Sequence, residues 1–207
     1  MNVHSKCNIW RKNVVNCALN YADHIWKPTF ANAYHGYDEK GILVNTPDTS
    51  FHSTEYMCGW WRIDQLNKGI SYNWGGCSTI VEFDTGLITG KYAGNVPDFR
   101  DNGISESCVG VDCSGLVTLC WGLTERLLTK TIPEIASPLD TIDLLASGDV
   151  ILLPGRHVMI FMDFVDNTRR NAWIVDASRN TGKVMLRNVF IPDLLEKGYR
   201  GYRKNNL

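Results

Sequence analysis

No stretch of this chain stays apolar for the roughly 20 residues that a membrane-spanning helix needs, so no span is expected. An excess of either charge is also missing. The 21 Lys and Arg against 22 Asp and Glu leave a net charge of −1, which gives no footprint for nucleic acid or an anionic membrane. The opening residues, MNVHSKCNIWRKNVV, lack the uninterrupted apolar stretch of a signal peptide. Two readings fit that opening: a cytoplasmic protein, or one of the cell envelope whose leader has been removed. Internal repeats and low-complexity linkers are absent. The seven cysteines form no Cys-x-x-Cys pair and no cluster with zinc spacing, so neither a metal nor an organic cofactor is implied. Their odd count leaves at least one thiol outside any intrachain disulfide. Histidine is sparse too, at His4, His24, His35, His52 and His157.

What is there is an ordinary globular composition, 44% hydrophobic and 21% charged over 207 residues, enough for one sizeable core. Residues 7–27 place Ile9, Val14, Cys17, Leu19, Tyr21 and Ile25 at helical spacing, and the helix must stop before Lys27-Pro28. Residues 28–58 read as ordered loop, and CGWWRIDQLNKG (58–69) as a short helix closed by Gly69. Residues 77–108 read as a second long loop. A helix is expected over about 114–128 and a short one around 140–146. Strands follow at 148–155, 156–165, 172–178, 182–189 and 198–203. Helices followed by antiparallel strands define an α+β fold.

Cys113 stands at the first turn of the helix expected after VGVD. Backbone N–H groups there favour an anion, and thiolate is the nucleophilic form of cysteine. A helix-terminal cysteine without a chemical role is the bland alternative. His157 opens an apolar strand after the Gly-Arg turn, where a general base or an ordinary strand-end histidine would both fit. Asp176 sits within the apolar run WIVDAS, where a carboxylate is costly unless paired. An imidazole would pair it and would have its tautomer fixed in return. Nucleophile, base and orienting carboxylate, in that chain order, are the parts of a catalytic triad.

These segments carry a family resemblance. VDCSGLV, then GDVILL and RHVMIFM, then WIVDAS, preceded by YNWGG at 72–76, resemble in order the NlpC/P-sixty superfamily of papain-like cell-wall cysteine peptidases. The resemblance spans residues 70–203, about two thirds of the chain. It implies an N-terminal accessory segment (1–69) and a papain-like peptidase domain (70–207), with the nucleophile helix packed on an antiparallel sheet. It implies Cys113 as nucleophile, His157 as general base, Asp176 in the third polar position, and the Tyr72 hydroxyl near the oxyanion. Asp112 and Ser114 match positions that contact the amino end of a stem peptide, and Trp74 and Gly75 belong to the neighbouring substrate-contacting element. Asp112 serves equally well as a helix N-cap. The implied reaction is hydrolysis of an amide bond in bacterial cell-wall stem peptides or muropeptides, after a γ-linked D-glutamate, through an acyl-enzyme. An amidase or acyltransferase on another substrate, and a catalytically silent wall-binding module, are the alternatives.

Two departures stand out. The family more often has histidine where Asp176 stands. About 35 residues separate Gly76 from Asp112, where compact members have few. That insertion, 77–108, has both ends pinned near the nucleophile. It either acts as a lid, using Phe83, Tyr92, Phe99, Arg100 and its glycines, or packs onto residues 1–69. Trp26, His35 and Asp48 likewise either line a substrate groove or belong to a packed accessory subdomain.

Overall fold

Helix α1 (Val3–Asp23) stops four residues before the expected limit, because Ile25–Trp26 is taken up as strand β1. The structure, a computed structural model, describes residues 3–52, 59–96 and 103–206, the side chains of 3–7 excepted. After β1 comes a hairpin of β2 (His35–Tyr37) and β3 (Leu43–Asn45), with His35 opposite Asn45. Strand β4 (Asn67–Lys68) returns to pair antiparallel with β1. Helix α2 (Ile80–Ile88) precedes β5 (Tyr92–Ala93), which runs parallel to β6 (Cys108–Val109). Helix α3 covers Cys113–Cys120. The remainder supplies β7 (Ala136–Pro138), β8 (Val150–Leu153), β9 (His157–Phe164), β10 (Asn171–Ser178), β11 (Lys183–Phe190), helix α4 (Ile191–Glu196) and β12 (Arg200–Lys204). The fold class is α+β, with a six-stranded antiparallel sheet in the order β11-β10-β9-β8-β12-β7.

The chain divides into two units, Met1–Asn20 with Leu116–Asp176 and Leu186–Leu207, and Tyr21–Gly115 with Ala177–Met185.

The first unit holds most of the large sheet. Leu153, Pro154, Gly155 and Arg156 make the turn from β8 to β9. Arg156 N–H donates to Leu153 O at 2.9 Å, and Gly155 has φ +73, the pattern of Pro-Gly at the centre of a type II turn. Leu153 therefore faces His157 across the hairpin. Period-two alternation puts His157, Met159 and Phe161 on one face of β9. Ile174 lies opposite Phe161, so Ile174 and Asp176 share that face on β10. Leu145, Ile151, Met159, Phe161, Ala172, Ile174, Val189 and Ile191 pack there as one buried cluster. Asp149, fully buried, anchors the same unit. It accepts from Arg11 Nη1 at 2.9 Å and from Arg203 Nη2 at 2.7 Å.

In the second unit the aromatics form the core. Trp26 meets Trp61 at 5.6 Å and Phe83 at 5.1 Å, both edge-to-face.

Several expectations need correction. Residues 59–69 form no helix. Asp64 adopts φ +58, and the Asn67 side chain bonds the backbone N–H and carbonyl of Arg62 at 2.9 and 3.0 Å, which competes with helical bonding. Residues 77–96 are not loop but carry α2 and β5, and residues 28–52 carry the β2–β3 hairpin. Helix α3 ends at Cys120 rather than near 128. Gly122 (φ +66) reverses the chain, with Leu123 N–H donating to Thr118 O and Gly122 N–H to Leu119 O, a Schellman closure. The short helix near 140–146 is a single 3-10 turn at Ile142–Leu144. The expected strands over 148–203 correspond to β8 through β12.

Helix α2 starts at a reciprocal cap. Thr79 Oγ1 accepts from Glu82 N–H at 3.2 Å, and Glu82 Oε2 accepts from Thr79 N–H at 2.7 Å. Thr79→Ala is therefore expected to cost about 1 kcal/mol, read as a lower urea midpoint at unchanged slope. A shift of under a few tenths would show the cap to be idle.

The described residues of the insertion pack within their own unit, with contacts to residues 26–45. Phe83 is fully buried on Trp26, Tyr34 stacks on Tyr92 at 4.5 Å, and Asn95 Oδ1 accepts from Asn45 N–H at 2.9 Å. Phe99 and Arg100, named for the lid, lie outside the described residues, as does Cys58. Trp26 and Asp48 are buried, and the exposed His35 places Nε2 2.8 Å from Asp48 Oδ2. Thr46 and Ser50 hydroxyls also donate to the Asp48 carboxylate. Burial alone would raise the Asp48 pKa, but the bonds from His35, Ser50 and Thr46 bring it well below the usual carboxylate range.

Candidate active site

In the second unit, Asp112 is the residue before α3 and Cys113 is its first residue. Asp112 Oδ1 accepts the Gly115 N–H at 2.6 Å and the Ser114 hydroxyl at 3.0 Å, and Oδ2 accepts the Gly75 N–H at 3.2 Å. This is N-capping, the alternative reading of Asp112, extended to the loop before it. Asp112 and Ser114 are buried, and Cys113 is partly exposed. The Gly75–Gly76 loop is tied to the same turn from the other direction, since Asp112 N–H donates to Gly76 O at 3.0 Å.

Gly76 of YNWGG and Gly115 of DCSG are explained by that approach. A Cβ at Gly115 would lie 2.1 Å from Gly76 O, and one at Gly76 would lie 2.5 Å from Gly110 O. Only glycine admits contacts this short between backbones. A cavity of about 550 Å³ opens beside the loop, lined among others by Asn73, Gly75, Cys77, Val81, Ile104 and Val109. Trp74 is half-buried and its N–H donates to Asn95 O at 3.0 Å. Tyr72 is buried, with its N–H on Gly182 O at 2.8 Å.

In the first unit, His157 Nε2 lies 2.7 Å from Asp176 Oδ2. Asp176 is 1% exposed. A third residue, absent from the sequence reading, completes the group. Arg187 on β11 donates from Nε to Asp176 Oδ1 at 2.9 Å and from Nη2 to Oδ2 at 2.8 Å. The signal for it was present. Arg187 shares strand parity with Val189, so a charge points toward the face that β11 buries, and such a charge needs a partner.

Burial raises the Asp176 pKa, but the Arg187 bonds, followed by the His157 bond, outweigh it and hold the carboxyl at about 2. That is below the ordinary aspartate value, so the ionised, paired form contributes stability to the fold. Because the folded value is the lower one, this contribution is present above about pH 4. It is lost as pH falls through about 2.

Thus the structure brings His157 and Asp176 together, and brings Asp112, Ser114 and Gly75 together around the Cys113 turn. Cys113 belongs to the second unit, and His157 and Asp176 to the first. Among the described residues no group of His, Cys, Asp and Glu could hold a metal ion, and no helix is long and apolar enough to cross a membrane. No protein-family model, no curated protein and no solved structure matches the chain.

Proposed function

We propose that this chain is a papain-like cysteine peptidase of the NlpC type that hydrolyses an amide bond in bacterial cell-wall stem peptides, after a γ-linked D-glutamate. Cys113 is its nucleophile, His157 its general base and Asp176 the group that orients the base. One observation carries the reading. A buried carboxylate takes His157 Nε2 at 2.7 Å, and because an ionised carboxylate only accepts, Nε2 holds the proton and Nδ1 is left basic. The capped start of α3 supports the nucleophile, since the bonds to Asp112 fix the turn that carries Cys113.

The reaction then has ordinary steps. The Cys113 thiol loses its proton to His157 Nδ1 and the sulfur adds to the scissile carbonyl. The imidazolium returns that proton to the leaving amine as the C–N bond breaks. Water, deprotonated by the same nitrogen, releases the carboxylic acid and restores the thiol. The Cys113 N–H and Tyr72 are assigned to the developing oxyanion, in keeping with the resemblance. Asp112 and Ser114 are assigned to the stem-peptide amine, and Trp74 and Gly75 to its neighbouring atoms.

Digestion of purified wall fragments, followed by mass analysis of the products, tests the proposal. Release of peptides ending in D-glutamate by the native chain and not by Cys113→Ala supports it. Intact fragments, or equal release by Cys113→Ala, overturn it.

Thiol labelling gives a second test. Burial pushes the Cys108 thiol up to about 12 and raises that of Cys120, whereas a hydrogen bond with Cys120 lowers Cys17. Iodoacetamide at neutral pH is expected to label Cys113 first, with Cys108 and Cys120 slowest. Faster labelling at Cys17, Cys77 or Cys108 would reassign the nucleophile. His157→Ala is expected to slow Cys113 and leave Cys17 unchanged.

A further inference from the structure

We propose that Arg187 is a positioning residue: it locks the Asp176 carboxylate in the orientation that keeps His157 protonated at Nε2. The catalytic consequence rests on the Cys113–His157 reading above, whereas the effect on the imidazole does not.

The argument starts from burial. Asp176 is 1% exposed, on the strand face that otherwise carries Ile174 and Ala172. A carboxylate there must be compensated or it takes up a proton. His157 alone does not compensate it, because a neutral imidazole offers an N–H and no net charge. Arg187 is charged at every accessible pH and presents a planar fork. Its two donors reach different oxygens, Nε to Oδ1 at 2.9 Å and Nη2 to Oδ2 at 2.8 Å. Two parallel bonds fix rotation of the carboxylate about its own axis, which a single bond does not.

The consequence falls on Oδ2. This oxygen also lies 2.7 Å from His157 Nε2, so the plane set by Arg187 decides where the acceptor for the imidazole sits. Arg187 Nη2 further lies 3.8 Å from Met159 Sδ on β9, the strand that carries His157. One guanidinium thereby touches β9 and β10 from its place on β11. Were the carboxylate free to turn, no oxygen would be held opposite Nε2, and were it to take up a proton, an O–H would meet that nitrogen. The imidazole would then move its proton to Nδ1, the nitrogen that must be basic.

An ion pair that merely held strands together would leave the tautomer alone, and the test uses that difference. Nitrogen NMR of ring-labelled histidine is recorded on the full-length protein, on Arg187→Gln and Arg187→Lys, and on Arg187→Ala with added guanidinium chloride below denaturing concentration. The native chain is expected to show neutral His157 protonated at Nε2, and Arg187→Gln a mixture of tautomers. Arg187→Lys, with one donor direction in place of a fork, falls between them. Guanidinium moves Arg187→Ala back toward the native spectrum, and Arg187→Ala and Arg187→Lys carry the test if Arg187→Gln does not fold. On a stem peptide, kcat is expected to fall by about 10²-fold in Arg187→Gln with KM unchanged, the size of a general-base contribution. A native tautomer in folded Arg187→Gln or Arg187→Lys, or in Arg187→Ala before guanidinium is added, overturns the proposal. If no stem peptide is cut by any form while the tautomer still follows residue 187, the peptidase reading fails and the positioning role stands.

Discussion

Asp176→Asn is expected to reduce kcat by about 10⁴-fold, the loss seen when the aspartate of a serine triad becomes an amide. The reason here is specific to Arg187. An asparagine offers one oxygen, and the guanidinium, which only donates, takes it. The amide NH2 is then turned toward His157 Nε2, 2.7 Å from Oδ2 in the native chain, and forces the proton onto Nδ1. The same substitution leaves a half-buried cation without its counter-charge, so a stability loss of about 3 kcal/mol accompanies it. The two effects separate in the double variant Asp176→Asn with Arg187→Met. Removing the unpaired cation is expected to restore much of the melting temperature. It also releases the amide to turn its oxygen to the imidazole and regain part of kcat. An active, fully stable Asp176→Asn would show that another group orients His157.

Asp149→Ala should be the most damaging substitution to the fold among the charged residues. Asp149 has no exposed surface and takes Arg11 on one side and the fork of Arg203 on the other, with a further bond from Ala146 N–H at 3.0 Å. Its removal leaves two guanidinium groups facing each other, and breaking a buried pair this way costs about 3–5 kcal/mol. Arg203→Ala costs less, because Arg11 still balances the carboxylate. Urea unfolding of the three proteins reads the order directly. A midpoint for Asp149→Ala above that of Arg203→Ala would contradict it.

Five of the six strands of the large sheet were legible because they are apolar runs punctuated by Pro154-Gly155 and by Gly182, whereas β7 was not expected. The pairing of His157 with Asp176 was legible for a related reason, since a carboxylate among Ile174, Val175 and Ala177 demands a partner. Helix α2 was missed although Thr79-x-x-Glu82 spells a capping box, because its nine residues are too few for periodicity to show with Gly86 inside it and Gly90, Gly94 and Gly103 following. Strands of two or three residues, such as β1 and β4, carry no pattern at all, and their pairing is decided by partners distant in the chain. That same distance hid the answer at 58–69. Gly69 looked like a helix stop, but a Cβ there would lie 2.4 Å from Val184 O, so the glycine serves a close approach and not a cap. Arg187 escaped because an arginine between Leu186 and Asn188 reads as surface until the strand's inward face is known.

The order of the six strands places β11 and β7 at the two outer rims. Strand β7 is only three residues long and ends in Pro138, which makes it a poor template for another chain. Strand β11 is eight residues long; its start is bridged to Ser71, with Val184 N–H on Ile70 O at 2.8 Å, and beyond it Leu186 and Phe190 are 42% and 39% exposed. Its charge at Arg187 points inward, one of the devices by which natural sheets discourage edge-to-edge growth. The guanidinium bonded to Asp176 thus also sets a charge on the strand at this rim.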